Sequence, residues 1–304
     1  MRQFVVLCLL SKSEGLEMSE VVILTDSVAQ IPPKLAQQYH IGIIPYAIII
    51  DDHAYWDGVD IFPAELYQRM RTENFLPRTS HPSLGEYINF FNTYLNNDAQ
   101  SILYLTLSGE LSGAFSTASK AALQIEQEHP GKRVAVFDTR TATIAQGFIA
   151  LKAAKAVQNG ADFRQALKIA KKEQTRVGFV AMLETLSYLA RGGRVGKAAY
   201  LVGNLIKIKP ILTIDRDGIV VPLGNLRGEK KCIHKLIDCM ANRIGNQTPT
   251  QIAVMHADDL EMAMQLKEEA QERFGLDEIM LTDFTPVMGA HAGPGVLGLA
   301  YSLE

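Results

Sequence analysis

Residues 102–118 read ILYLTLSGELSGAFSTA, and this stretch decides how the chain folds. Its first half is a short apolar run of β-compatible residues ended by Ser108-Gly109, the pattern of a buried strand. Its second half sets Ser112-Gly113 directly before Ala114–Gln127, a segment rich in helix formers. A strand that turns through a hydroxyl and a glycine into a helix leaves main-chain N–H groups without partners. Those donors, with the positive end of the helix dipole, suit an anion. Ser112 is placed to offer its hydroxyl, and Gly113 lets the anion approach the backbone. A plain capping role also accounts for Ser112, since serine is a favoured N-cap.

The same alternation recurs on both sides. Val21–Leu24 is a strand closed by the polar Thr25-Asp26-Ser27, and Pro32-Pro33 open a short helix to Tyr39. Gly42–Ile50 is a second apolar run, in which Pro45 marks an edge or a bulge. Asp51–Asp60 reads as a polar loop, Pro63–Arg71 as a helix, and Leu76–Ser83 as a loop into a helix from Leu84 to Leu95. Arg133–Phe137 is a strand, and Ala142–Gln158 a helix closed by Asn159-Gly160. This order predicts a mainly parallel sheet with helices on its faces and ligands at the carboxyl ends of the strands. Asp26-Ser27, Ser108–Gly113 and Asp138-Thr139 all fall at such ends.

Beyond residue 161 the pattern changes. Ile211–Ile214 and Ile219–Leu223 flank Asp215-Arg216-Asp217-Gly218, a hairpin signal. Strands are expected at Val177–Ala181, Ile252–Met255, Glu278–Leu281 and Val296–Ala300, with helices over 162–173, 229–243 and 259–273. The predicted fold is two-domain α/β: a mainly parallel N-terminal unit over 19–160 and a mixed, partly antiparallel unit over 161–304. Residues 1–18 read as a disordered extension, with a second plausible start at Met18.

Of the 304 residues, 47% are hydrophobic and 21% charged, with a net charge of −3, which argues against a general nucleic-acid binder. Three cysteines without a C-x-x-C pair fit a reducing compartment, and Phe4–Leu10 is too short to span a bilayer. A cytoplasmic protein without stable membrane insertion is expected.

Two nucleotide motifs fail on inspection. Gly293, Gly295 and Gly298 spell G-x-G-x-x-G, but such a site needs a following helix and an acidic residue about 20 positions on. Arg191–Lys197 lacks the first glycine and the hydroxyl of a phosphate-binding loop. His291, in the glycine-dense Gly289–Gly298, reads either as a ligand-facing imidazole or as a histidine satisfied by a carbonyl. His53, His81, His256 and His291 are too scattered for a metal site; His256-Ala-Asp-Asp259 more simply ends a strand and caps a helix. In Thr79-Ser80-His81-Pro82-Ser83, Ser83 caps the next helix, leaving Thr79 and Ser80 free to face a ligand. From Arg191 to Lys231 nine basic residues accompany three acidic ones, and Arg191-Gly-Gly-Arg194 exposes backbone beside two guanidinium groups. That is either a solvated face or a surface for an acidic or phosphorylated partner.

Together these segments carry a family likeness. Thr25-Asp26-Ser27, Thr79–Ser83, Leu111-Ser112-Gly113, Arg191–Arg194, Lys209-Pro-Ile-Leu212 and Gly289–Gly295 stand in the order seen in DegV proteins, so the chain resembles that family from about Val21 onward. The resemblance implies two α/β domains holding a long-chain fatty acid such as palmitate in a tunnel between them. It implies no cofactor, no metal and no catalytic residue. Thr79 and Ser112 resemble the hydroxyls that hold the carboxylate, with His291 in the same network and Ser80 and Gly113 beside them. Some members present the acid to a separate fatty acid kinase for phospholipid synthesis, and Arg191 and Arg194 resemble the docking region. The chain departs from the family pattern at His81, usually Gln, at Gly109, at Ala114 and at Ala145. Two other readings are an acyl-ester hydrolase using Ser112 and His291, and a lipid-binding regulator without a kinase.

Overall fold

The computed structural model describes residues 20–304 except 74, 98, 203–207 and 227–231. The expected extension 1–18, the start of the expected helix at 229–231 and part of the basic stretch lie outside the described residues.

The first half runs β1 (Val21–Asp26), α1 (Pro33–Gln38), β2 (Ile41–Ile44), β3 (Ala47–Ile50), β4 (His53–Trp56), α2 (Pro63–Thr72), β5 (Arg78–Ser80), α3 (Leu84–Leu95), β6 (Ser101–Thr106), α4 (Ala114–Glu128), β7 (Arg133–Asp138) and α5 (Thr143–Gln158). Its main sheet has the order β2-β1-β6-β7 and is parallel throughout. β1 and β6 are buried along their whole length, which is why they read as continuous apolar runs rather than alternating ones. The chain leaves β1 to one side for β2 and later returns on the other as β6. The crevice outside the carboxyl ends of β1 and β6 is therefore the switch point at which such sheets take ligands.

Three expectations need correction. Gly42–Ile50 is two strands in different sheets, because Pro45 lacks the N–H that would continue the ladder. The Asp51–Asp60 loop contains β4, and the Leu76–Ser83 loop contains β5. β4 and β5 pair antiparallel with β3 in a small sheet, order β4-β3-β5. Edge strands of four and three residues are too short to show an alternation that a sequence reading could detect.

The second half runs α6 (Phe163–Gln174), β8 (Val177–Met182), α7 (Ser187–Arg191), β9 (Lys209–Ile214), β10 (Val220–Leu226), α8 (Cys232–Ile244), β11 (Pro249–His256), α9 (Leu260–Phe274), β12 (Met280–Asp283), α10 (Pro286–Ala292) and β13 (Leu297–Leu303). Its sheet has the order β10-β9-β8-β13-β11-β12, in which only β11–β12 is parallel. The expected hairpin is present: Asp215 Oδ1 accepts from the Asp217 and Ile219 N–H groups, and Gly218 takes the positive φ of 86° that the turn requires. β8 shows why this sheet has two cores. Val180 and Met182 pack with Leu236 and Leu266 of α8 and α9, whereas Phe179 and Ala181 point the other way, into the larger core shared with the first half. The expected glycine-dense loop before the last strand begins instead as helix: Gly289–Ala292 form the end of α10, which Pro286 starts at its first turn.

Candidate ligand-binding site

A cavity of about 320 Å³ opens at the switch point, between the first parallel sheet and the inner face of β8 and β9. Its size lies within the ~300–1,000 Å³ range of small-molecule pockets. Both halves build it. Val28, Tyr46, Leu107 and Ala142 come from one, and Phe179, Ala181, Leu212 and Ile214 from the other. Most of the wall is aliphatic or aromatic, and the polar groups are few: Thr79, Ser80, His81, Ser112, Thr143, Arg194, Thr213 and His291 besides Tyr46.

The sequence-predicted residues meet here in part. Thr79 projects from β5, and its Oγ1 lies 2.8 Å from His291 Nε2 on α10. His291 is half-buried, and its Nδ1 is shielded from solvent without a hydrogen-bond partner. That atom faces Gly192, where a Cβ would stand 2.6 Å away, so the glycine is what makes room for the ring. Burial first, and the Arg194 charge second, push His291 down to about 4, so it is neutral near pH 7. A neutral ring that donates from Nε2 to Thr79 Oγ1 leaves the threonine proton free for an incoming anion.

Ser112 serves two purposes. Its Oγ accepts the Ala114 N–H at 3.2 Å, so it does steady the start of α4, although the N-cap position itself is Gly113. The hydroxyl proton is not consumed by that bond, and Ser112 borders the cavity. Ser80 also borders it, but its hydroxyl donates to its neighbour's carbonyl, His81 O, at 3.1 Å, leaving only lone pairs. Gly113 lies beneath the His81 ring, whose Nε2 would be 3.0 Å from an added Cβ.

The two arginines separate. Arg191 is exposed at the end of α7 and does not border the cavity. Arg194, expected only at a docking surface, lines the cavity and donates from Nε to Leu111 O at 3.1 Å. It thereby ties the second half to the loop that carries Ser112 and supplies a positive charge near His291.

Asp26 holds this loop from behind. Fully buried at the end of β1, it accepts from Leu107 N (3.0 Å), Val28 N (3.1 Å), Gln146 Nε2 (3.0 Å) and Tyr46 OH (3.4 Å). Three of these donors belong to cavity-lining residues. Burial raises its carboxyl to about 6 against the pull of those hydrogen bonds. The supporting Gln146 and Tyr46 were not singled out in the sequence, although Tyr46 follows the Pro45 that breaks the strand. Across the crevice, Ser108 Oγ donates to Gly218 O at 2.8 Å, and Thr285 Oγ1 donates to Ser27 O at 3.2 Å.

The hydrolase geometry is not the one expected. His291 pairs with Thr79 rather than Ser112, and a base needs a third group to orient its far nitrogen, which here has no partner. Among the described residues no group of three or more His, Cys, Asp or Glu is arranged to hold a metal. No described helix is long and apolar enough to cross a membrane.

A sequence model described as an uncharacterised protein of the DegV family matches residues 20–304. A DegV domain-containing protein of Halalkalibacterium halodurans is 30% identical over 287 residues, covering 94% of this chain and all of the relative. Among solved structures, a DegV family protein of Thermus thermophilus, described as fatty acid binding, superposes with a TM-score of 0.85 at 29% identity, covering 94% of this chain and all of that one. DegV of Bacillus subtilis, described as a fatty acid binding protein, does so with a TM-score of 0.83 at 30% identity and the same coverage.

Proposed function

This chain belongs to the DegV family, and on that premise we propose that it binds a long-chain fatty acid in the cavity and presents the carboxylate to a separate kinase. The observation that carries the reading is the division of the cavity wall. An apolar slot is lined by residues from both halves of the chain, with Thr79, Ser112, Arg194 and His291 among its few polar groups. In this reading the two halves serve as two jaws, joined by the Ser108–Gly218 and Arg194–Leu111 hydrogen bonds.

In this reading the tail supplies affinity and the polar end supplies register. Each buried methylene is worth about 0.8 kcal/mol, so a chain of ~14 gives on the order of 11 kcal/mol before ordering costs. Hydrogen bonds to a charged head group add about 1.5–3 kcal/mol each at most. Ser112→Ala therefore keeps lipid but holds the carboxylate out of place for phosphoryl transfer. In that transfer a carboxylate oxygen forms the new bond to the γ-phosphorus while the bond to ADP breaks, with ATP supplied by the kinase. Mass spectrometry of the denatured protein, purified from lipid-replete cells, should release a C14–C18 acid. Its repeated absence would overturn the reading.

The exposed Arg191 is the docking residue in this scheme. Arg191→Ala should reduce kinase-coupled acyl phosphate formation while leaving palmitate binding unchanged; equal loss of both would remove the docking role. A regulator that holds lipid without a kinase would show binding and no acyl phosphate.

A further inference from the structure

His81 sits at the polar end of the cavity and has no part in the scheme above. Its Nδ1 lies 2.8 Å from Pro82 O. A carbonyl only accepts, so Nδ1 carries the proton, and Nε2 is the nitrogen that gains or loses one. Nε2 is poised over Gly113, 3.0 Å from the place of an absent Cβ, beside Ser112 at the start of α4. The ring lines the cavity together with Thr79, Ser112 and His291, and its face rests near Tyr87, with centroids 6.5 Å apart and planes 25° off parallel. Two nearby observations thus converge: one ring nitrogen is committed to a carbonyl, and the other lies against Gly113 in a ring that lines the cavity.

We propose that His81 is a further contact for the fatty acid carboxylate, donating from Nε2 as an imidazolium, and that losing this proton weakens the hold on the ligand. This rests on the fatty acid reading. With the proton gone, a lone pair faces the carboxylate oxygens in place of a donor, so the same side chain changes from attracting the anion to opposing it. Arg194, His291 and Tyr46 share the cavity wall with His81, and Tyr87 lies against its ring. Burial keeps His291 neutral and both tyrosines protonated across the neutral range, leaving Arg194 as a constant charge. Asp26, raised to about 6, and Asp57, raised to about 7, titrate behind Tyr46 and Ser27. The readout is therefore the difference between two proteins at each pH.

His81→Gln keeps the reach and hydrogen-bonding capacity of the side chain without a titrating nitrogen. Palmitate affinity measured by calorimetry from pH 5.5 to 8.5 should fall with rising pH about tenfold more in wild type than in the variant, the size of one charge-assisted hydrogen bond in a part-exposed site. Parallel pH profiles would overturn the proposal. Nitrogen NMR of the unsubstituted protein provides the second measurement: adding palmitate should shift His81 Nε2 protonation to higher pH, and no shift would equally overturn it. If neither protein binds palmitate at any pH, the fatty acid reading itself fails, which is a different result.

Discussion

Replacing Ala181 by phenylalanine is expected to lower palmitate affinity by about 100-fold in a protein that remains folded. Ala181 lies on β8 with 4% of its surface exposed, and its side chain points into the cavity rather than toward α8 and α9. An added ring fills space that would otherwise take about four methylenes of an acyl chain. At about 0.8 kcal/mol each, their loss is on the order of 3 kcal/mol, or about 100-fold. Overpacking a dense core typically costs about 1–3 kcal/mol, but here the ring enters a void of about 320 Å³, so the unfolding midpoint should move by only a few degrees. Calorimetry with palmitate and thermal denaturation of the same preparation check both halves of the expectation. Unchanged palmitate affinity would mean that the acyl chain does not run past Ala181.

The second large effect is one of pH. Asp57 is fully buried; Ser27, Thr285 and the Val287 N–H face its carboxylate, yet neither oxygen makes a hydrogen bond of good geometry. Desolvation raises it from 3.8 to about 7. The folded state therefore binds this proton more tightly than the unfolded chain does. Its contribution to stability is complete below about pH 4 and is lost as pH rises toward 7. A difference of that size corresponds to on the order of 4 kcal/mol. Asp57→Asn removes the titration, so the variant should gain on wild type between pH 4.5 and 8 by an amount of this order. Asp26 has the same sign over a narrower window, from about 4 to about 6, and remains in both proteins, so it cancels in the comparison. Urea denaturation at pH 4.5, 6 and 8 gives the measurement, and stability curves that run parallel would show that Asp57 does not titrate in this range.

Asp57 matters to the site because of where it is. Val287 and the N-cap Thr285 begin α10, the helix that carries His291, so the carboxyl lies at the foot of the element that brings the imidazole to Thr79. Asp26 does the corresponding work for Tyr46 and Leu107. Two buried acids thus back the cavity wall, and neither is distinguishable in the sequence from an ordinary polar residue at the end of a strand.

What the amino-acid order determined alone was local in range. The turn at Ser112-Gly113, the Asp215–Gly218 hairpin, the Ser83 N-cap and the β–α alternation each follow from the chemistry of a few adjacent residues, and each is present. The ordered motifs also pointed to Thr79, Ser112 and His291 as members of one site. Only the tertiary structure decided how they meet. Thr79 and His291 are 212 positions apart and form a hydrogen bond because a polar edge strand and a seven-residue helix, both read as loops, pack against each other at the cavity wall. That Arg194, expected at a docking surface, also borders the cavity is likewise decided by packing between distant segments. Desolvation of Asp26, Asp57 and His291 likewise depends on which distant side chains exclude water from them. Short-range periodicity carries no record of that, because burial is a property of the packed whole.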